Sequence, residues 1–552
     1  MHMKVIAPRS NATSDYAQSW PSSDPNREIN RVASAAICTV AAFVPETMSV
    51  SLLDESVDRF DDALHMDADI YGLTANVGQA TRGIELADKL RAAGKTVIMG
   101  GPHVSLAPDL FVDHADCLVV GEFETVAEQL FADLQAGALK PRYTAGKWDM
   151  QKSPVPRWDL YPNEHTFAGI VQTSRGCPFE CHFCDVIQYL GRVQRHKDND
   201  LIIAELQQLY DLGYNYAVLA DDNFTVYRKR TRAILEAIAK WNGKEGREYM
   251  AFATQMSIDV ARDPDILEMC VEAGLVNAFI GIESDNEESL KESKKRQNLK
   301  VNLVDQLRAI VSKGMRLESG LMVGFDHDSK ACFERQVSFG MAHPTATFNI
   351  SVLVAPVATP LYASMVEEKR LVAHEVVSQF PSSGMVSNII PSQMTREELF
   401  IGARWLVSKL FHPESFLERF RNISEILGQS PWDRADASAP RRQPRQKVSE
   451  LYSNIFRWEM RENRDYAAIV KPAMKIIKAN PEIRDGLTEL FANFTMAVHT
   501  RRRQGIYDAE WAKMDAPPFD SETGNHHWQV AVGSLDDRLL HAANRERELA
   551  DA

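Results

Sequence analysis

Through residues 1–145, short apolar runs alternate with longer stretches in which apolar positions recur every three or four residues. The runs 5–7, 50–53, 69–73, 96–99 and 117–120 predict five β-strands. Amphipathic stretches between them predict helices; in 83–93, Ile84, Ala87 and Leu90 fall on one face. Strands that are apolar on both faces need cover on both, so the pattern predicts an open parallel sheet between helices, a Rossmann-like domain. The alternation resumes with strands at 170–173, 216–220, 250–255, 278–282, 320–325 and 348–353 and helices such as 201–212, as a (β/α)6 partial TIM barrel requires. Past residue 365 the pattern is helical. Thr395-Arg396-Glu397-Glu398 reads as a capping box opening a helix to residue 411, 455–470 reads as a helix that Pro472 ends or kinks, and 429–447 reads as a mobile linker. The expected architecture is α/β, with domains at 1–145, 146–365 and 366–552.

Composition narrows the function classes. The 552-residue chain is 45% hydrophobic and 25% charged, ordinary for a globular protein, and no apolar stretch is long enough to span a bilayer. With no basic-then-apolar leader at the N-terminus, a cytoplasmic protein is expected. A net charge of −14 makes a nucleic-acid partner unlikely. The basic clusters Arg441-Arg442-Gln443-Pro444-Arg445 and Arg501-Arg502-Arg503 read as solvated surface.

The chemistry centres on Cys177, Cys181 and Cys184, spaced C-x3-C-x2-C after the strand at 170–173. Three thiolates on one loop are one short of a closed zinc or cubane site, so the spacing suggests an iron–sulfur cluster with one open iron. Zinc with His182 or a distant cysteine as fourth ligand is the lesser reading, because no second ligand pair follows. Cys38, Cys117, Cys270 and Cys332 lie far apart and read as unpaired thiols in a reducing compartment.

Polar and glycine positions at the ends of the strands are the other candidates, since ligands gather at the carboxyl ends of parallel strands. In the first domain these are Gly100, Gly101 and His103 after the fourth strand, and Gly121 and Glu122 after the fifth. In the barrel they are Asp222 in Asp221-Asp222-Asn223, Gln255, Glu283 in Gly281-Ile282-Glu283-Ser284, and Gly320 and Gly324. Asp222 reads equally as a helix cap or a ligand group, and Arg192 and Arg195 could neutralise a carboxylate or cover the barrel rim.

The run Arg175-Gly176-Cys177 through Cys184, with Phe183 before the third cysteine, resembles the signature loop of the radical S-adenosylmethionine (SAM) superfamily. The resemblance implies a [4Fe-4S] cluster on the three cysteines, SAM chelated at the open iron, and reductive cleavage of SAM. It implies Asp222 and Gln255 near SAM, Glu283 on the ribose hydroxyls, and Gly320 and Gly324 beside adenine. The Gly100-Gly101-Pro102-His103 and Gly121-Glu122 loops resemble the cobalamin-binding domain that precedes many such cores. The Asp-x-His-x-x-Gly cobalt-ligand loop is absent, which leaves His103 as a substitute ligand or a loop donor. Asp221-Asp222-Asn223-Phe224, Gly324-Phe325-Asp326 and their neighbours are similar to the subgroup that includes hopanoid methylases. A cobalamin-dependent methyltransferase acting on a small molecule, fed by an electron donor such as flavodoxin or ferredoxin, is therefore expected. The alternatives are 3-amino-3-carboxypropyl transfer, a non-methylating radical cyclisation or oxidation, and a non-catalytic cobalamin- or metal-binding module.

Overall fold

The computed structural model describes residues 1–10, 19–21, 27–372, 385–434, 440–529 and 531. Its first sheet contains β1 (His2–Ala7), β4 (Ser49–Asp54), β5 (Ile70–Thr74), β6 (Thr96–Gly100), β7 (Cys117–Val120) and β8 (Arg142–Thr144), counting β2 (Ser19–Pro21) and β3 (Glu28–Val32) of the second sheet. The order β4-β1-β5-β6-β7-β8 is parallel throughout. The chain therefore reverses its direction of growth beside β1, and the crevice beyond the carboxyl ends of β1 and β5 is the place for a ligand. One face, with Ile6, Tyr71, Val97 and Met99, packs on Leu86, Ala87 and Leu90 of the helix Ala80–Ala92. The other face presents Met3, Val5, Gly72, Ile98 and Val119 to a cavity. The short strand β8 escaped the apolar pattern because Arg142 and Thr144 are exposed and only Tyr143 is buried.

The second sheet is the expected half-barrel with two additions. Its parallel strands are β9 (Thr166–Val171), β12 (Tyr216–Leu219), β13 (Ala251–Gln255), β14 (Leu275–Glu283), β15 (Arg316–Val323) and β16 (Thr347–Val352), while β10 (Ser174–Arg175) and β11 (Arg195–His196) form a small ribbon beside the cysteine loop. β3 adds parallel to β9, and β2 antiparallel to β3. Residues 19–32, read from sequence as part of the first domain, thus supply the edge of the barrel. Asn30 and Arg31 interrupt the apolar run of β3, and this hid the strand.

Strand register stacks the barrel interior in layers. Asn277 pairs with Arg316 at the base, Phe279 with Glu318 above them, and Gly281 with Gly320 above those. Tyr216, Val218 and Ala220 climb the opposite wall. Alternate residues such as Ala217 and Leu219 face outward to Ile202, Leu206 and Leu209 of the helix Asn199–Asp211.

The C-terminal helices close the base of this barrel. The Thr395 capping box opens Arg396–Phe411 as expected. The single helix expected over 455–470 is instead two, Gln446–Glu462 and Arg464–Ala479, because Asn463 turns extended and caps Tyr466 N at 3.1 Å; Pro472 lies inside the second. Where the sequence suggested a linker, residues 440–445 lie along Tyr249, with Tyr249 N donating to Pro440 O and Arg442 N to Tyr249 O; 435–439 fall outside the described residues. The two basic clusters are only partly solvated: Arg503 is exposed, but the other arginines are not. Arg441 is paired with Glu489, Arg442 and Arg445 lie 3.8 and 3.9 Å over the Tyr210 and Tyr214 rings, and Arg501 is buried over Phe411.

Candidate functional site

The cysteine loop leaves the carboxyl end of β9 and is tied down by the two acids that follow β12. Asp221 accepts from Thr173 N at 3.0 Å and Ser174 N at 2.7 Å, and Asp222 accepts from Gly176 N at 2.9 Å. Asp222 therefore caps the loop and not a helix, and its side chain also borders both large cavities of the molecule. Its carboxyl is pushed up to about 6 by burial. Gly176 has φ 95°, and a Cβ there would lie 2.9 Å from Gly191 O and Val193 O, so only glycine admits the chain to the turn.

Cys181 is buried and Cys177 and Cys184 are half-buried. Burial pushes the Cys177 thiol up to about 11 and the Cys184 thiol up to about 12. Bound iron reverses that penalty, because metal ligation requires the thiolate. Among the described residues no three His, Cys, Asp or Glu side chains converge at the spacing of a single ion. A cubane gives each thiolate its own iron, so its ligands need no such convergence. The donor set, three adjacent thiols beside the cation Lys295 and the carboxyls of Asp185 and Asp222, fits a cluster: Lys295 faces Cys181 and Cys184, and its ammonium is 6.0 Å from the Phe183 ring centroid.

Lys295 carried no sequence signal beyond its place in a basic run, yet it joins the cysteine loop to Glu283. The pair is 2.7 Å apart and nearly buried. Burial opposes the Lys295 charge, but Glu283 and Cys181 outweigh it and raise the group. Glu283 ends β14 at φ 67°, a strained conformation for a glutamate, where the register with β15 shifts. Gln336 Nε2 donates to Glu283 O and Asn298 Nδ2 to Ile282 O, so hydrogen bonds hold the bulge that aims this carboxylate into the barrel.

Below Glu283 on the barrel wall, Gly281 and Gly320 lie side by side, and the Glu283 carboxylate, the Lys295 ammonium and the Phe279 ring fill the space a side chain would take there. A Cβ on Gly320 would stand 2.9 Å from the Phe279 ring. Gln255 is exposed on the barrel lumen, which Phe279 also lines. Gly324 is not brought to this wall: it faces Leu399, and its N–H donates to Asp328 at 3.0 Å. Gly281 takes the place beside Gly320 that the sequence reading gave to Gly324.

At the end of the first sheet a cavity of about 500 Å³ opens between Gly100, Gly101 and Gly121 on one side and Arg175, Asp185 and Tyr189 on the other. It follows the apolar face of the sheet past Gly72 down to Met3, a depth that suits a flat macrocycle with an appended tail. His103 does not line it. Its ring packs edge-on against Phe111 at 5.8 Å, its Nε2 has no partner, and burial holds it down to about 4. Glu122 does not line it either. Its buried carboxylate takes Arg175 at 2.8 Å and Arg195 at 2.7 Å, and these cations hold it low against the cost of burial. With Arg175 also on Glu124, the network fastens the first domain to the residue two before Cys177.

The barrel lumen is a second cavity of about 750 Å³. The two cavities share Ile170, Ala220 and Asp222 as walls, next to the cysteine loop. Two compartments for large ligands thus meet at one point beside three thiols.

Residues 171–339 match the family model of the radical SAM superfamily. An uncharacterised methyltransferase of Synechocystis sp. is 32% identical over 69% of this chain and 71% of its own length. The hopanoid C-2 methylase of Rhodopseudomonas palustris is 29% identical over 70% of this chain and 72% of its own. The cobalamin-dependent SAM radical enzyme OxsB, with aqua-cobalamin bound, shares the fold at TM-score 0.56 and 14% identity over 95% of this chain and 84% of its own. The radical SAM methyltransferase TsrM of Kitasatospora setae, with tryptophan and a SAM analogue bound, aligns at TM-score 0.54 and 15% identity over 66% of this chain and 76% of its own.

Proposed function

Because the chain belongs to the radical SAM superfamily, we propose that its two cavities form one active site for cobalamin-dependent methylation of a small molecule. It is a radical SAM enzyme, a transferase of the methyltransferase kind. When bound, the cluster supplies an open iron for SAM and the electron that breaks a carbon–sulfur bond of SAM, and cobalamin supplies a transferable methyl group. The residues of this chain bind, orient and exclude water. Cys177, Cys181 and Cys184 hold the cluster. Glu283, held at its bulge by Gln336 and Lys295, accepts the ribose hydroxyls, while Gly281 and Gly320 admit adenine. Asp222 and Gln255 face SAM from the neighbouring strand ends. Gly100, Gly101 and Gly121 form the mouth of the cobalamin cleft, with His103 and Glu122 supporting that mouth from behind.

The observation that carries this reading is that Ile170, Ala220 and Asp222 line both compartments beside the cysteine loop. A substrate carbon at the junction reaches both without leaving the protein. The reductant is an external one-electron protein such as flavodoxin or ferredoxin. Among the described residues no helix is long and apolar enough to cross a membrane, and Cys38, Cys117, Cys270 and Cys332 are buried free thiols, which supports a reducing, cytoplasmic location.

Anaerobic reconstitution with iron, sulfide and cobalamin tests the reading. Corrin absorbance on the purified protein, with S-adenosylhomocysteine and 5'-deoxyadenosine as products, supports methylation. Methylthioadenosine would instead mean aminocarboxypropyl transfer, and 5'-deoxyadenosine alone a radical rearrangement or oxidation.

A further inference from the structure

The barrel lumen does not end below the paired glycines. It continues to a floor built from the base of the strands and from the helix Arg484–Arg503, and charged side chains gather at this floor. Arg316 and Arg441 share Glu489, and Asn277 Nδ2 donates to Glu489 Oε1 at 2.8 Å. Tyr216 and Tyr452 reach the same end from β12 and from the helix Gln446–Glu462. Among the described residues neither phenol hydroxyl has a hydrogen-bond partner, and neither does the buried Thr500 Oγ1 on the same wall. The two phenols open onto the lumen, so their hydroxyls are placed to take a partner from a ligand there. Charge indicates what kind. Arg31, Arg316 and Arg441 at this end have Glu318, Asp433, Asp485 and Glu489 around them, whereas Arg442 on the same wall has no carboxylate partner among the described residues and its guanidinium donates only to Tyr210 O. A half-buried guanidinium without a carboxylate, beside three unpaired hydroxyls, suits an anionic oxygen. Burial also keeps both phenols protonated, hence able to donate.

We propose that this floor binds the far end of the substrate, and that the end it binds is an anionic oxyacid group, a carboxylate or a phosphate. The inference rests on the methyltransferase reading above and adds the substrate class. The reacting carbon lies at the junction beside Ala220 and the anion at Tyr216, four residues lower on the same strand, so about 13 Å separates them at the rise of a β-strand. Val218, Ala253 and Phe279 line the lumen above the floor, where Phe167 packs on the Tyr216 and Tyr452 rings. The substrate is thus an elongated amphiphile, with an apolar body, an acid at one end and the methylated carbon at the other. SAM occupies the Gly281–Gly320 wall, and the body runs along the facing wall of β9 and β12.

The test uses the reconstituted holoenzyme and three probes of one chain length, decanoate, decyl phosphate and decanol, titrated calorimetrically. At least one of the acids binds tenfold or more tightly than decanol; which one does identifies the oxyacid. The double substitution Tyr216→Phe and Tyr452→Phe removes that margin while decanol binding, which reports the folded lumen, is retained. Equal binding of all three probes overturns the proposal, as does failure of both acids to bind or an acid margin that survives the double substitution. Loss of SAM cleavage in the unsubstituted enzyme, with the acid margin intact, overturns the methyltransferase reading instead.

Discussion

The Lys295 ammonium stands 2.7 Å from the Glu283 carboxylate and so ties the strained end of β14 to the segment against the cysteine loop. Ser293, two residues earlier, accepts from His182 N inside that loop. A shift of the loop is therefore felt at the carboxylate that faces the ribose. Lys295→Met leaves Glu283 unpaired and free to turn. SAM dissociation, measured by equilibrium dialysis on reconstituted protein, should weaken at least tenfold, about 1.4 kcal/mol. Iron content should stay normal, and Lys295→Arg should recover part of the affinity. Unchanged SAM affinity in Lys295→Met would remove this pair from the site.

The three loop cysteines and the four buried ones should separate cleanly. Alanine at Cys177, Cys181 or Cys184 should reduce bound iron from about four per chain to near zero after anaerobic reconstitution. Alanine at Cys270 or Cys332, buried in the apolar core, should leave iron unchanged and lower the unfolding midpoint only modestly. Iron retained by a loop variant would point to a different ligand set.

Glu122 should behave as a fastening of the two domains. Its side chain is 1% exposed and answers Arg175 and Arg195 together. Glu122→Gln leaves both guanidinium groups short of a counter-charge, at a cost on the order of 3–5 kcal/mol. Urea unfolding followed by tryptophan fluorescence should show a lowered midpoint. Glu124→Gln, which removes only one contact to Arg175, should cost less.

His103 should be silent in the corrin spectrum. The ring is packed on Phe111 and absent from the walls of the cleft, so His103→Ala should leave the visible and electron paramagnetic resonance spectra of bound cobalamin unchanged. A spectral change typical of losing a nitrogen ligand would show that the cleft rearranges on loading.

What the sequence disclosed follows from how local each signal is. The apolar runs located the strands of both sheets other than β2, β3 and β8, because a buried parallel strand announces itself within its own five or six residues. The cysteine spacing located the cluster loop for the same reason. Lys295, Gly281 and the arginines of the lumen floor acquire meaning only through partners far along the chain: Glu283 for Lys295, Gly320 for Gly281, Glu489 for Arg441. Arg441 looked like surface because nothing in its neighbourhood of the sequence reveals the buried Glu489 opposite. β2 and β3 stayed hidden because a strand that borrows its hydrogen bonds from β9, more than a hundred residues away, needs little apolar pattern of its own.

Glu489 offers the sharpest pH signature of the floor. Burial alone would raise its carboxyl, but Arg316 and Arg441 outweigh that and hold it down to about 2, against an ordinary value of 4.5. A carboxylate depressed on folding stabilises the native state fully above the unfolded value, and this stabilisation fades as pH falls through the folded one. The window is therefore about pH 4.5 down to about pH 2, and a depression of this size corresponds to roughly 3 kcal/mol. Glu489→Gln removes the titrating group and also strips two buried guanidinium groups of their counter-charge. At pH 7 the variant should unfold at clearly lower urea than the parent, and the gap should narrow as both are taken from pH 4.5 toward pH 2.5. Protonation of Glu489 in the parent strips Arg316 and Arg441 of the same counter-charge, so the gap closes toward zero as the parent's carboxylate titrates, and the narrowing reports the ionised carboxylate. A gap constant from pH 7 to pH 2.5 would mean that Glu489 is not ionised against the two arginines. The floor would then lack the charge arrangement on which its selectivity for an acid depends.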